Sequence, residues 1–116
     1  MVLRKEFMLL FRYEPNPDYQ PSEAEMTEMH QQWGAFIGNI AIQEILISTH
    51  QLGFDGIQIA SDKSTSSGIH LADNLTVSGN MIIKANTIAE AAEIASGCPI
   101  LSMGGTVEVR DLIEMN

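Results

Sequence analysis

Apolar and polar positions along this chain change period from block to block, and each block predicts an element. Residues Glu6-Phe7-Met8-Leu9-Leu10-Phe11-Arg12-Tyr13 form a short, near-continuous apolar and aromatic run, which predicts a first strand in the middle of a sheet. Three prolines between Glu14 and Pro21 remove amide donors and disfavour helix at the residues before them, so a loop is expected there. Ser22-Glu23-Ala24-Glu25 has the spacing of a capping box and predicts a helix start. Met26, Met29, Trp33, Phe36, Ile37 and Ile40 then recur at three and four residues as one buried stripe, and the acidic first turn suits the positive end of the dipole. Gly34 and Gly38 share a face on which a sheet is expected to approach closely, at about 1 kcal/mol each in lost helix propensity.

Glu44 to Thr49 is a β-branched run and Ile57-Gln58-Ile59-Ala60 alternates with period two, so both read as strands, with Gly53-Phe54-Asp55-Gly56 turning between them. Ser61 to Gly68 is small and polar throughout and predicts a mobile loop or hairpin tip, followed by a short edge strand at Ile69-His70-Leu71. Asn80 to Ala85 is the next strand. Thr87-Ile88-Ala89-Glu90 repeats the capping-box spacing and opens a helix whose inner face, Ile88, Ala91, Ala92 and Ala95, is small enough for close packing on a sheet. Gly97 is expected in the left-handed position past that helix, Pro99 stops it, and Gly104-Gly105 lead into a last strand alternating from Thr106 to Arg110.

This order predicts an α+β fold, a ferredoxin-like split βαβ sandwich with both helices on one face of an antiparallel sheet. Two helices cover one face only, so alternate residues of every strand leave the other face wet in a monomer. The expected remedy is a homodimer whose sheets pack face to face as a dimeric α/β barrel.

Composition narrows the function. At 116 residues and 12.7 kDa the chain is expected to form one domain over residues 1–116. No apolar run approaches the roughly 20 residues needed to span a bilayer, and Met1-Val2-Leu3-Arg4-Lys5 before the brief apolar stretch Phe7 to Phe11 does not read as a signal peptide. No membrane partner and a cytoplasmic location are therefore expected. A net charge of −9, with six basic residues scattered along the chain, argues against nucleic acid. Cys98 is the one cysteine, so no internal disulfide forms, and no short histidine spacing marks a metal site; no metal or cofactor is expected.

Four segments in order, Phe7-Met8-Leu9-Leu10-Phe11-Arg12, His30-Gln31-Gln32-Trp33-Gly34-Ala35-Phe36, Gly97-Cys98-Pro99-Ile100 and Gly104-Gly105-Thr106-Val107-Glu108-Val109-Arg110, resemble the YCII-related proteins, in the branch named for a DGPF motif. The resemblance covers nearly the whole chain. It implies a dimeric ferredoxin-like barrel and a histidine and aspartate pair in a cleft, and it leaves the activity open, since members of the family are mostly uncharacterised. In place of the Asp-Gly-Pro-Phe motif, an ungapped count back from Gly79 gives Ser67-Gly68-Ile69-His70, and a gapped one gives Asp73-Asn74-Leu75-Thr76.

His30 matches the helix histidine of that family, and histidine side chains as a class titrate near neutral pH, as a general acid or base requires. It would then need an acceptor such as Asp73 on its other ring nitrogen; a histidine merely bonded to a carbonyl or water is the plain alternative. Trp33, three residues on, shares the helix face and would line the same pocket wall, unless it is simply core. His70, in the motif loop under the ungapped count, is a ligand-binding candidate, whereas His50 reads as a surface side chain. Arg12 and Arg110 are expected in central strands, where a guanidinium needs a carboxylate such as Glu108 or an anionic ligand. Cys98 reads as a packing residue. The function expected is small-ligand binding in a cleft lined by the first helix; the alternatives are a small enzyme using His30, and an assembly or regulatory domain without activity.

Overall fold

The computed structural model describes residues 5–15 and 20–113. The opening segment 1–4 and the centre of the expected proline-rich loop, 16–19, lie outside the described residues. Strand β1 (Lys5–Tyr13) turns Phe7, Leu9 and Phe11 to a buried face and Met8, Leu10 and Arg12 to a half-buried one. Helix α1 (Glu23–Ile42) begins on a complete capping box: Ser22 Oγ accepts the Glu25 amide at 3.1 Å and the Glu25 carboxylate accepts the Ser22 amide at 3.3 Å. There follow β2 (Leu46–Gln51), β3 (Ile57–Ile59), β4 (Thr65–Ser67), β5 (Thr76–Ala85), α2 (Ile88–Ala95), a 3₁₀ turn (Pro99–Met103) and β6 (Thr106–Asp111).

The main sheet has strand order β2-β5-β1-β6, and every neighbouring pair is antiparallel. β1 and β2 therefore run parallel on either side of β5 with α1 between them in sequence, while β5 and β6 flank β1 and are joined through α2. The fold is α+β, with a mostly antiparallel sheet and two helices. Register pairs Leu9 with Met81 on one side and Val109 on the other, so these share a face. Ile40 from α1 and Ala91 and Ala95 from α2 belong to the same hydrophobic cluster as these strand residues. The alanines bring α2 close to the sheet, as their size predicts.

β3 and β4 form a separate two-stranded ribbon, with Ile57 opposite Ser67 and Ile59 opposite Thr65. Ile57 and Ile59 are 71% and 72% exposed, although isoleucine is among the residues most often buried. The molecule measures 48 × 45 × 20 Å with a radius of gyration of 16.1 Å, against roughly 13 Å for a compact chain of this length. It is a flat body.

Several local expectations need correction. Ile69-His70-Leu71 is not a strand; the chain instead closes a tight turn in which Ala72 and Leu75 exchange two backbone hydrogen bonds of 2.9 Å. Asp73 and Asn74 occupy its corners with φ of 53° and 66°, a left-handed pair that their side chains tolerate. Gly97 is not left-handed: α2 ends on a right-handed Ser96, and the Gly97 and Cys98 amides bond back to Ile94 and Ala95, so the carbonyls are satisfied without it. The left-handed glycine is Gly104, φ 84°, at the end of the 3₁₀ turn. Thr87 caps α2 through the Glu90 amide alone. No part of the sheet approaches Gly34 or Gly38, where an added Cβ would meet nothing within 4 Å; the packing line runs beside them, through Trp33, Phe36, Ile37 and Ile40. Finally, β6 is an edge strand, so Arg110 lies in solvent and only Arg12 stands on an inner strand.

Candidate functional site

A cavity of about 510 Å³ lies between α1 and one end of the sheet. Its size is that of small-molecule sites generally. The geometry starts at a β-bulge: Phe11 faces Gly79 but Arg12 faces Val77, so Ser78 is the extra residue in β5. Ser78 Oγ donates to the Phe11 carbonyl at 3.3 Å, and the Ser78 carbonyl accepts the Leu52 amide at 2.9 Å. A Cβ at Gly79 would stand 2.7 Å from the His50 carbonyl, so only glycine lets β2 lie this close. Bulge and glycine together leave Phe11, Gly79, Thr49 and Gln51 along the sheet side of the space.

The capping box fixes where α1 begins and hence which residues face the sheet. Met29, His30, Trp33 and Ile37 make the helical wall. Trp33 is held edge-on between two rings, with centroids 5.5 Å from Phe11 and 6.1 Å from Phe36. Such edge-to-face pairs fix ring orientation as well as burying area. Ile100 and Met103 of the 3₁₀ turn close one side, and Leu52 and Phe54, where the chain leaves β2, form part of the rim. A shallower recess of about 310 Å³ adjoins it, sharing Tyr13, Met29 and Met103 and bordered by Glu25 and Glu28.

His30 and Trp33 are thus brought together, as their three-residue spacing on one helix predicts. His30 is exposed at the wall, and no described residue hydrogen-bonds to it. Asp73 is not among the lining residues and sits in the exposed Ala72–Leu75 turn; His70, also exposed, precedes that turn and does not line the cavity. Arg12 points to the other face of the sheet, where its Nη1 lies 2.8 Å from Glu108 Oε1. That hydrogen bond, more than the Arg12 and Arg110 charges, holds the Glu108 carboxyl below its ordinary value. His50 borders the cavity, with its Nδ1 3.3 Å from Asn80 Oδ1. Cys98 is buried, and burial pushes its thiol up, partly offset by the Ile100 amide, as suits a packing residue.

The floor and rim residues Gly79, Leu52, Phe54, Ile100 and Met103 were not legible as site residues. Gly79 precedes the strand expected from Asn80, and only the structure, which extends β5 back to Thr76, makes it a glycine inside a strand at a close backbone approach. Among the described residues, no cluster of three or more His, Cys, Asp or Glu could hold a metal ion, and no helix is long and apolar enough to cross a membrane. Compared with known proteins, the chain matches no protein-family model and no curated protein.

Proposed function

We propose that this protein binds a small organic ligand in the cavity between α1 and the sheet, with Trp33 and His30 on its helical wall. The cavity carries the proposal: it is concave, mostly apolar and dotted with a few polar groups, the usual make-up of a ligand site. Binding is favoured over turnover because a histidine base needs a partner to orient its ring. His30 has none among the described residues, and Asp73 is engaged as a turn corner. The test is a thermal-shift screen of a small-molecule fragment library on wild type, His30→Ala and Trp33→Leu. A compound at 100 times its Kd adds about 2.7 kcal/mol to the folded state. Shifts that shrink in both variants support the assignment; shifts equal in all three proteins reject this cavity.

The working unit of that site is a homodimer of ferredoxin-like subunits, related to the YCII family. The strand order β2-β5-β1-β6 with α1 and α2 as crossovers supports the fold, and the four sequence segments support the relationship. Met8, Leu10 and Ile82 stand half-buried on the sheet face opposite the core, with the Arg12 and Glu108 pair beside them. Four strands at about 4.8 Å spacing and some 30 Å length make that face on the order of 500 Å², short of the roughly 800 Å² per partner of a standard interface. The β3–β4 ribbon supplies the remainder: its Ile57 and Ile59 lie unpacked on their own chain, and a lone hairpin is marginal in water. A second copy covers both. A dimer at micromolar concentration in sedimentation equilibrium is expected, and a monomer would reject it.

A further inference from the structure

The cavity has a one-sided chemistry. Of its described lining residues, none is Lys, Arg, Asp or Glu, in a chain of net charge −9. Its hydrogen-bonding side chains are Tyr13, His30, Trp33, Thr49, His50, Gln51 and Ser78, all of them uncharged or histidine. Three of these are already engaged, Ser78 with the Phe11 carbonyl, Thr49 with the Asn80 carbonyl at 3.1 Å and His50 with Asn80 Oδ1 at 3.3 Å. The remaining surface is rings, methionines and branched aliphatics, with Phe11 and Trp33 forming one continuous aromatic wall. Glu25 and Glu28 border the adjoining recess, and both are acidic.

An ion entering such a space loses its hydration and meets no opposite charge to replace it, which costs far more than the loss of a neutral polar group. An anion is opposed twice over, by the walls and by the acidic field outside. An uncharged ring compound loses little, gains apolar area against Trp33, Phe11 and Ile37, and needs only one or two hydrogen bonds to be oriented. Resting on the ligand-binding assignment above, we infer that the ligand class is neutral: an aromatic or alicyclic molecule with one or two uncharged hydroxyl, carbonyl or amide groups, taken up in preference to carboxylates, phosphates or ammonium compounds of the same shape.

Three probes of one shape test it: 2-naphthylmethanol, 2-naphthoate and 2-naphthylmethylammonium, at pH 8, where ordinary histidines are uncharged. Titration calorimetry gives affinities. The chain has a single tryptophan, so one indole N–H resonance in a nitrogen-labelled sample reports whether a probe reaches the Trp33 wall. The alcohol is expected to move that resonance and to bind at least about 10-fold more tightly than either ion. Met29→Arg and Gln51→Lys each place a cation on the lining and are expected to reverse the order in favour of naphthoate; Gln51 is exposed, so its variant keeps the test open should Met29→Arg fail to fold. An ion that moves the Trp33 resonance and binds as tightly as the alcohol overturns the ligand class while leaving the cavity as a binding site. No movement by any of the three probes at saturating solubility overturns both.

Discussion

Gly79 has the most exacting position in the fold. Gly79→Ala would drive a methyl against the His50 carbonyl, and the forced separation of β2 from β5 should cost about 1–3 kcal/mol in urea unfolding while loosening the cavity floor. The same substitution at Gly34, where nothing lies within 4 Å, should instead stabilise α1 by up to about 1 kcal/mol. Glu108 sets an acid sensitivity. Its folded-state carboxyl lies below the ordinary value, so the stability it contributes is present above the unfolded value and is lost as pH falls through the folded one. Stability measured by denaturant from pH 6 downward should therefore fall less steeply in Glu108→Gln, and the difference should shrink at high salt because the pair is partly solvated.

Among the elements, legibility followed how local the controlling physics was. The capping box at Ser22 and the stripe through Trp33 and Ile40 depend on residues within a few turns and stand where their spacing predicts. The buried faces are narrower than that spacing suggests: in α2 Ala91 and Ala95 are buried while Ile88 and Ala92 face solvent, and at the start of α1 Met26 is exposed. The extent of β5 was not legible: the expected strand starts at Asn80, and only pairing with Tyr13, Arg12 and Phe11 carries it back to Thr76. Ser61 to Gly68 shows both outcomes at once, since Thr65–Ser67 pairs with Ile57–Ile59 around a turn at Lys63 in which Asp62 accepts from Ser64. The site was half legible for the same reason. His30 and Trp33 share one helix, whereas the cavity floor comes from a bulge and a rim that only the folded chain brings together. The ribbon carries its own prediction: Ile57→Asp with Ile59→Asp should leave the monomer fold intact by circular dichroism but shift the sedimentation equilibrium toward monomer, since these side chains touch little on their own chain.

For the molecule as a whole, a body 20 Å thick holds one layer of sheet and one of helix. Nearly all of its fully excluded side chains lie between those layers, in a single cluster from Phe7 to Ile100. Leu9→Ala, at the middle of that cluster with no exposure, should cost about 2–5 kcal/mol and lower the melting temperature accordingly. Cys98 sits at the seam where α2 gives way to the 3₁₀ turn, sealed among the same residues with its thiol held protonated by burial. Alkylating reagents attack thiolate that they can reach. Native protein should resist iodoacetamide, and whatever labelling occurs should count the moments when the seam parts, giving a built-in chemical clock for opening of the interior.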